Sequence, residues 1–415
     1  MSLRALFARA TAWTAETAPP SVSVGVAIVL AAFVVAQGPS VLHNLPKWHW
    51  EDGRHFHHNR QQIHSIADCF LVPSAWEGGA EATYRPLSAN LYYLAGRSLF
   101  GNNIEVYHAI DAAAHLANAI LLFLLCRYLL PGPFALIPPV VFVTRLAHRQ
   151  DFEYTSNFDT LSYAGLCLLG LLLFVSARRR DRRFPEALAA FAFGLALLCK
   201  EAAVVWPAIL TAYGWLFDPP RAWRKYAVGW ALAALWIVCY RDIVHLLYPF
   251  GTPGFTLDFA PHHVLARYGA YLLAIFNVLV PAVDPERAGW AIPPHLRAFA
   301  ASTPLVVAMA CLVAVEVALL VAARWRPHLV SPSARAAAFG LAWFFAGTAP
   351  FVVLADRLFI RYSYFGHAGL AIAVGGLASA AAQWIRAGRA RTADQPGAIG
   401  AAVRACASGH HRVNG

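Results

Sequence analysis

Charged residues are scarce in this chain of 415 amino acids, of which only 13% are Asp, Glu, Lys or Arg. A soluble domain carries roughly 25% charged residues, because its surface must be solvated by water. Hydrophobic residues make up 59% of the chain, and the mean hydropathy is +0.51. The composition therefore excludes an ordinary soluble protein and predicts a polytopic membrane protein.

Other features are also missing. Of the seven cysteines, only Cys69 falls in the long polar segment 43–105, so no disulfide framework is predicted there. No helical repeat of about 34 residues follows the last apolar run. The net charge of +11 is divided among short segments, which gives no support to a nucleic-acid partner and favours contact with anionic lipid.

Eleven apolar runs approach the length of about 20 residues that a helix needs to cross a bilayer core. They are 22–41, 106–130, 134–146, 161–177, 184–198, 202–217, 226–247, 264–280, 305–323, 336–354 and 362–385. The first run is long and no small-residue cleavage site follows it, so it is interpreted as a retained anchor rather than a signal peptide.

The distribution of arginine and lysine predicts the orientation, because loop cations concentrate on the cytoplasmic side. Here they lie at both chain ends and in segments 178–183, 221–225 and 324–335. Both termini are therefore predicted in the cytoplasm, which is the inner side of the plasma membrane in a bacterium. An even number of crossings then requires ten, and run 264–280, interrupted by Arg267 and Asn277, is predicted to be only half inserted.

Two segments differ from the rest. Residues 1–385 form the predicted transmembrane domain, and 386–415, rich in Gly, Ala and Arg, is predicted to be a disordered cytoplasmic tail. The segment 43–105 follows the first span, so it lies outside, and it is far longer than a usual connection. It is dense in Trp, His and acidic residues, and long loops on a rigid scaffold are where function is commonly placed.

The motifs of this loop and of later segments resemble those of the GT-C superfamily, membrane glycosyltransferases that use polyprenyl-phosphate sugars. The chain is most like the transmembrane O-mannosyltransferases with tetratricopeptide repeats and their bacterial relatives, without the repeats. The motifs that carry the resemblance are Trp50-Glu51-Asp52, Tyr84-Arg85-Pro86-Leu87, Leu99-Phe100-Gly101, Tyr107-His108, the segment 148–159, Leu198-Cys199-Lys200-Glu201 and Ile360-Arg361-Tyr362-Ser363-Tyr364. The glutamate that the family has before its last arginine is missing here.

The resemblance implies an all-α, GT-C type transmembrane bundle with a large extracytoplasmic first loop. It also implies transfer of a sugar from a polyprenyl-phosphate donor to the hydroxyl of an extracytoplasmic glycan, lipid or protein acceptor. Such a reaction needs a base for the acceptor hydroxyl and positive charge for the leaving phosphate. Asp52, with Glu51 beside it, is predicted as the catalytic carboxylate, and Arg85, Lys200 and Arg361 are predicted to bind the donor phosphate.

Each residue also has a simpler interpretation. Adjacent acids at the start of a loop are usually solvated, and an arginine near a span end commonly extends toward the lipid headgroups. Glu153 and Asp159 are predicted to position the acceptor or a metal, and His57, His58 and His108 to line the pocket. The histidine spacing fits no zinc motif, so the metal requirement stays open, with Mg²⁺ or Mn²⁺ at a carboxylate favoured.

Two other functions remain open. A flippase or transporter of lipid-linked glycans would be expected to show internal repeats and charged residues along many spans. An inactive assembly subunit of GT-C fold would fit the missing glutamate before Arg361.

Overall fold

The computed structural model is a bundle of α-helices. It describes residues 20–44, 50–74, 83–145, 148–180, 184–218, 224–247, 257–276, 282–284, 289–291, 297–299, 301–355 and 358–409. Five helices are long and apolar enough to cross a membrane: Val22–His43, Ile104–Leu129, Thr155–Arg179, Thr303–Trp325 and Ile360–Ala387. At this level the prediction of an all-α membrane protein is confirmed.

The helices of the described segments, in chain order, are bounded as follows. They are α1 (Val22–Asn44), α2 (Trp50–Gln62), α3 (Ile66–Leu71), α4 (Tyr92–Phe100), α5 (Ile104–Leu129), α6 (Ile137–Thr144), α7 (Arg149–Glu153), α8 (Phe158–Arg180), α9 (Phe184–Cys199), α10 (Trp206–Phe217), α11 (Arg224–Leu247), α12 (Pro261–Ile275), α13 (Thr303–Trp325), α14 (Pro332–Val352) and α15 (Tyr364–Gly409). Proline in the first turn, where a missing N–H is no loss, starts α10, α12, α13 and α14. A small antiparallel hairpin joins β1 (Ala282–Asp284) to β2 (Gly289–Ala291).

One end of the bundle is held together by Asp218, which follows α10. Arg178 of α8 donates from Nε to the Asp218 carboxylate at 3.0 Å, and the Tyr226 hydroxyl of α11 donates to the same oxygen. Arg324 of α13 donates to the Asp218 carbonyl at 3.2 Å. These contacts join four helix ends, and we call this side of the bundle the arginine end.

The opposite side, called the loop end, carries α2, α3, α4 and α7. Near the end of α1, Gln37 donates its amide to the carbonyls of Val143 and Arg145, each at 3.0 Å, and so ties α1 to the end of α6. Five of the described helices, α1, α5, α8, α13 and α15, contain the stretches long enough to cross a bilayer, and the number of ten crossings stays a prediction. Their insertion in a bilayer and the side that each end faces stay predictions.

Helix α12, which covers most of the run predicted to be half inserted, begins and ends near the loop end. Before it, the Asp258 N–H donates to the Val353 carbonyl at 2.9 Å, just beyond α14. After it, the Phe276 ring lies 5.4 Å from the Arg145 guanidinium, at the end of α6. A helix of 15 residues with both ends at the same side does not run the length of the bundle.

Helices α14 and α15 pack unusually closely. A Cβ at Gly369 would lie 2.7 Å from both the Gly340 carbonyl oxygen and the Phe344 nitrogen, so only glycine permits this approach. Helix α15 then continues to Gly409. The structure therefore has helix over 386–409, where the sequence predicts a disordered tail. Residues 410–415 lie outside the described residues.

Candidate functional site

The first two loops pack against each other at the loop end. The Ser156 N–H donates to Asp52 Oδ1 at 2.9 Å, and the hydroxyls of Tyr93 and Thr155 lie 3.0 Å apart. Asp52 itself is fully buried. The two loops that carry the predicted catalytic residues thus form one layer, although they are separated in sequence by α5 and α6.

Four ionised side chains from three parts of the chain meet beneath this layer, and we call them the charge cluster. Arg85 directly precedes a π-helical turn, Pro86–Leu91. It donates from Nε and Nη2 to the two carboxylate oxygens of Glu201, at 3.0 and 2.6 Å. Its Nη1 donates to Asp159 in the first turn of α8. Such a two-pronged contact is the geometry that the guanidinium fork favours.

Lys200 is the fourth member of the charge cluster. Its ammonium donates to Asp159 Oδ1 at 3.1 Å and to the Thr160 hydroxyl at 2.6 Å. The rings of Tyr163 and Tyr362 lie 5.9 and 6.0 Å from Nζ. Only 3% of Lys200 is exposed, and burial lowers the pKa of the ammonium while Asp159 acts in the opposite direction. The residue is therefore a buried cation held by its counter-ion.

The charge cluster is electrically balanced, with two cations and two anions. Burial acts to lower the pKa of Arg85, but Glu201 and then Asp159 raise it above the ordinary value. Arg361 lies beside the cluster, with its Nη1 donating to Asn157 Oδ1 at 3.0 Å and its guanidinium 5.8 Å from the Tyr362 ring. Arg361 thus adds a third cation beside the cluster.

The other predicted residues occupy separate positions around the cluster. Glu153 is buried and accepts a hydrogen bond from the Ser40 hydroxyl at 3.2 Å. His108 is also buried and donates to the Phe152 carbonyl at 3.1 Å. The side chain of Glu51 lies outside the described residues.

The loop histidines do not converge. His57 is exposed and lies 2.8 Å from the Gln61 amide, whereas His58 donates to the Pro73 carbonyl at 3.2 Å. His55 stacks on Tyr93, and burial lowers its pKa from 6.5 to about 4. Among the described residues, no group of three or more His, Cys, Asp or Glu side chains has a geometry that could hold a metal ion.

An apolar groove of about 670 Å³ lies between α9 and α11. Its lining residues are Tyr84, Ala190, Phe191, Gly194, Leu195, Leu197, Leu198, Leu232, Leu235, Trp236 and Cys239. Phe191 and Leu235 are exposed, so the groove opens on the apolar face of the bundle. Tyr84 reaches it from the loop end, with its ring 6.1 Å from that of Trp236, and the next residue is Arg85. One wall of the groove is therefore formed by the residue that precedes Arg85 of the charge cluster.

No family model, curated protein or solved structure matches this chain. Its function must be argued from the arrangement of its own residues.

Sequence reasoning missed two parts of this region. The sequence predicts no role for Glu201, which follows Lys200, yet Glu201 accepts two hydrogen bonds from Arg85. A second group, buried below the loops, joins Asp151 and His148 to His367. The spacing of three residues between His148 and Asp151 is a local signal of their contact, but nothing local points to His367.

Asp111 and His115, which lie one turn apart in α5, have different partners. Asp111 accepts a hydrogen bond from the Tyr92 hydroxyl at 3.0 Å, whereas His115 contacts the Tyr364 hydroxyl at 2.8 Å. The two side chains therefore serve different contacts, one toward the loops and one inside the bundle.

Proposed function

We propose that this protein is a membrane glycosyltransferase that moves a sugar from a polyprenyl-phosphate donor to an acceptor hydroxyl. The observation that supports this most is the apolar groove lined by Tyr84, whose neighbour in the sequence, Arg85, belongs to the charge cluster. A lipid phosphate has the same two parts, an apolar chain and an anionic head. Few other substrates need both an open apolar channel and a buried group of cations.

The donor phosphate would be held by Arg85, Lys200 and Arg361. Arginine binds two phosphate oxygens at once through its planar fork, whereas Lys200 contributes a point charge from inside the bundle. Arg85 is occupied by Glu201 and Asp159 in the absence of donor, so an incoming phosphate must exchange for a carboxylate. The contact of Arg85 with Glu201 is the one that water can replace most easily, because the Glu201 side chain is 36% accessible.

In the proposed reaction, the acceptor oxygen bonds to the anomeric carbon as the bond from that carbon to the phosphate oxygen breaks. Polyprenyl phosphate leaves, and the hydroxyl proton passes to a carboxylate. Asp52 is our first choice for this base, because it lies between the two loops. Asp159 is less suited, since both of its oxygens accept hydrogen bonds from cations of the charge cluster. Glu153 is the alternative.

A second function is favoured by a specific observation. The charge cluster is neutral and its Lys200–Asp159 pair is buried, as in a structural ion-pair network, and Ile360 stands where the family has a glutamate. Both features fit an inactive assembly subunit of the same fold.

The two functions are separated by incubating the purified full-length chain, in lipid nanodiscs, with polyprenyl-phosphate mannose or polyprenyl-phosphate glucose. An acceptor mixture of hydroxyl-bearing peptides and glycans is added, and polyprenyl phosphate is measured by mass spectrometry. A transferase releases polyprenyl phosphate and labels an acceptor. If no donor is consumed in the presence of any acceptor class, the enzymatic proposal fails and the subunit function is favoured.

The proposal also requires the loop end to face away from the cytoplasm. Cysteine at Gln62, exposed at the end of α2, should react with an impermeant thiol reagent in intact cells. Cysteine at His328, exposed between α13 and α14, should react only after lysis. The reverse pattern would overturn the orientation and the chemistry that depends on it.

A further inference from the structure

A chain of three hydrogen-bonded side chains lies inside the bundle, below the second loop. His148 Nδ1 lies 3.2 Å from Asp151 Oδ2, and His148 Nε2 lies 2.5 Å from His367 Nδ1 of α15. All three residues are at least 99% buried. We call Asp151, His148 and His367 the histidine chain.

The chemistry of these groups restricts where the protons lie. An ionised Asp151 only accepts, so His148 must then carry its proton on Nδ1 and accept from His367 at Nε2. His367 consequently bears its proton on Nδ1, and its Nε2 is a bare lone pair. When one proton binds at His367 Nε2, each ring passes its Nδ1 proton to the next group and every bond reverses. Asp151 then is a carboxylic acid that donates to His148 Nδ1, and His148 Nε2 donates to His367 Nδ1. The same heavy-atom positions therefore serve two states that differ by one proton.

Both terminal atoms of the histidine chain are available to exchange that proton. Asp151 Oδ1 and His367 Nε2 are buried, and neither has a hydrogen-bond partner among the described residues. A buried polar atom without a partner is destabilising by about 1–3 kcal/mol. Two such atoms, one at each end of the same chain, are not expected from packing alone.

The surroundings couple the histidine chain to the charge cluster. The charged neighbours of Asp151 are Lys200, Arg361, Asp159 and Glu153, all of the proposed site. Burial raises the pKa of Asp151 well above its ordinary value, while Lys200 and Arg361 oppose that shift. The carboxyl end of the histidine chain thus senses the charges that a bound phosphate would change.

The imidazole end faces other groups. Burial lowers the pKa of His148 well below its ordinary value, and His367, His115 and Arg145 act in the same direction. His115 of α5 contacts the Tyr364 hydroxyl at 2.8 Å, and Asn118 donates to that hydroxyl at 3.0 Å. These neighbours disfavour an imidazolium, so the added proton belongs on the carboxyl group rather than on a ring.

We propose that the histidine chain is a proton-exchange site that takes up one proton at His367 Nε2, stores it as the carboxylic acid of Asp151, and releases it by the same path. That the proton originates from the acceptor hydroxyl rests on the proposed function; the exchange itself does not. Asp151, His148 and His367 do not contact the reacting atoms in this proposal. They hold a proton close to the site while the sugar is transferred.

Infrared spectroscopy of the full-length protein in nanodiscs tests the exchange directly. A carboxylic acid stretching band that disappears in Asp151→Asn should convert to a carboxylate band as the pH rises. His367→Asn keeps a donor for His148 Nε2 but has no second ring nitrogen, so we expect the midpoint to move by about one pH unit or more. Glu316→Gln is the matched control, because Glu316 is a buried carboxyl on α13 and its removal should leave the Asp151 midpoint unchanged.

A ¹⁵N spectrum of histidine-labelled wild-type protein avoids any risk that a variant misfolds. The His148 and His367 nitrogens should change their protonation pattern over the same pH range as the Asp151 band. Two results would overturn the proposal: an Asp151 midpoint that is unaffected by His367→Asn, or histidine signals that stay constant over the pH range of the Asp151 transition. In either case the histidine chain would have only a structural role. Neither measurement needs transfer activity, so a failure of the proposed function remains distinguishable.

Discussion

Lys200 can be tested by separating its structural role from its proposed contact with phosphate. Lys200→Met keeps most of the side-chain volume and removes the charge, which leaves Asp159 with Arg85 as its remaining cation. Removing one partner of a buried ion pair costs about 3–5 kcal/mol, and we expect the lower end because Arg85 stays. The measurement is the melting temperature of the purified protein in detergent.

Neutralising both partners should reverse most of that loss. Replacing both members of a buried ion pair by neutral groups is often close to neutral for stability. Lys200→Met combined with Asp159→Asn should therefore melt near the wild type, since Arg85 retains both of its contacts with Glu201. Asp159→Asn alone is the control that reports any direct role of the carboxylate in transfer.

The donor KM then decides between the two roles of Lys200. If Lys200 binds the phosphate, the double variant is stable but still uses the donor poorly, and its KM exceeds that of Asp159→Asn. A double variant that regains both stability and donor use would show that Lys200 is only the counter-ion of Asp159, and it would refute our assignment.

Three further predictions follow from individual positions. Asp52→Asn should slow transfer about 10²- to 10⁴-fold at an unchanged melting temperature, because the amide oxygen keeps the hydrogen bond from the second loop; a near-normal rate would move the base elsewhere. Gly369→Ala should lower the free energy of unfolding by about 1–3 kcal/mol. Gly38→Ala, whose Cβ has no neighbour closer than 3.9 Å, should instead raise it by up to about 1 kcal/mol. Equal melting temperatures of the two variants would contradict the close α14–α15 contact. The pKa of His55 is lowered to about 4 in the folded protein, so between about pH 6.5 and pH 4 the unfolded chain binds a proton that the folded chain does not. Stability should therefore decline as the pH falls through this range, by up to about 1.4 kcal/mol per pH unit, and His55→Gln should flatten the curve of melting temperature against pH.

The sequence predicted which residues share one side of the molecule better than it predicted their contacts. Arg85, Asp159 and Lys200 each lie at a helix end, and counting apolar runs is enough to put them on the same side. Their meeting in one cluster depends on how α8, α9 and the π-helical turn pack, which no local pattern specifies. The partner of Arg85 shows this, because Glu201 is 116 residues away.

The histidine chain was beyond sequence reasoning for the same reason. His148 and His367 are 219 residues apart, and a histidine inside an apolar span has no periodic signal of its own. In the α15 extension, the composition predicts disorder whereas the structure has helix to Gly409. Local composition thus described the membrane helices well and the polar contacts between them poorly.

The contacts of Asp218 have a consequence for biosynthesis. Its partners Tyr226, Arg178 and Arg324 lie 8, 40 and 106 residues away along the chain. A growing chain folds from its N-terminus. Arg178 has therefore been synthesised before Asp218 emerges from the ribosome, and Tyr226 emerges shortly after it. Arg324 arrives only after α12 and α13 have been made. The side-chain contacts of Asp218 can therefore form early. The Asp218 carbonyl accepts its hydrogen bond from Arg324 later, and this contact then joins α13 to the helices that were made before it.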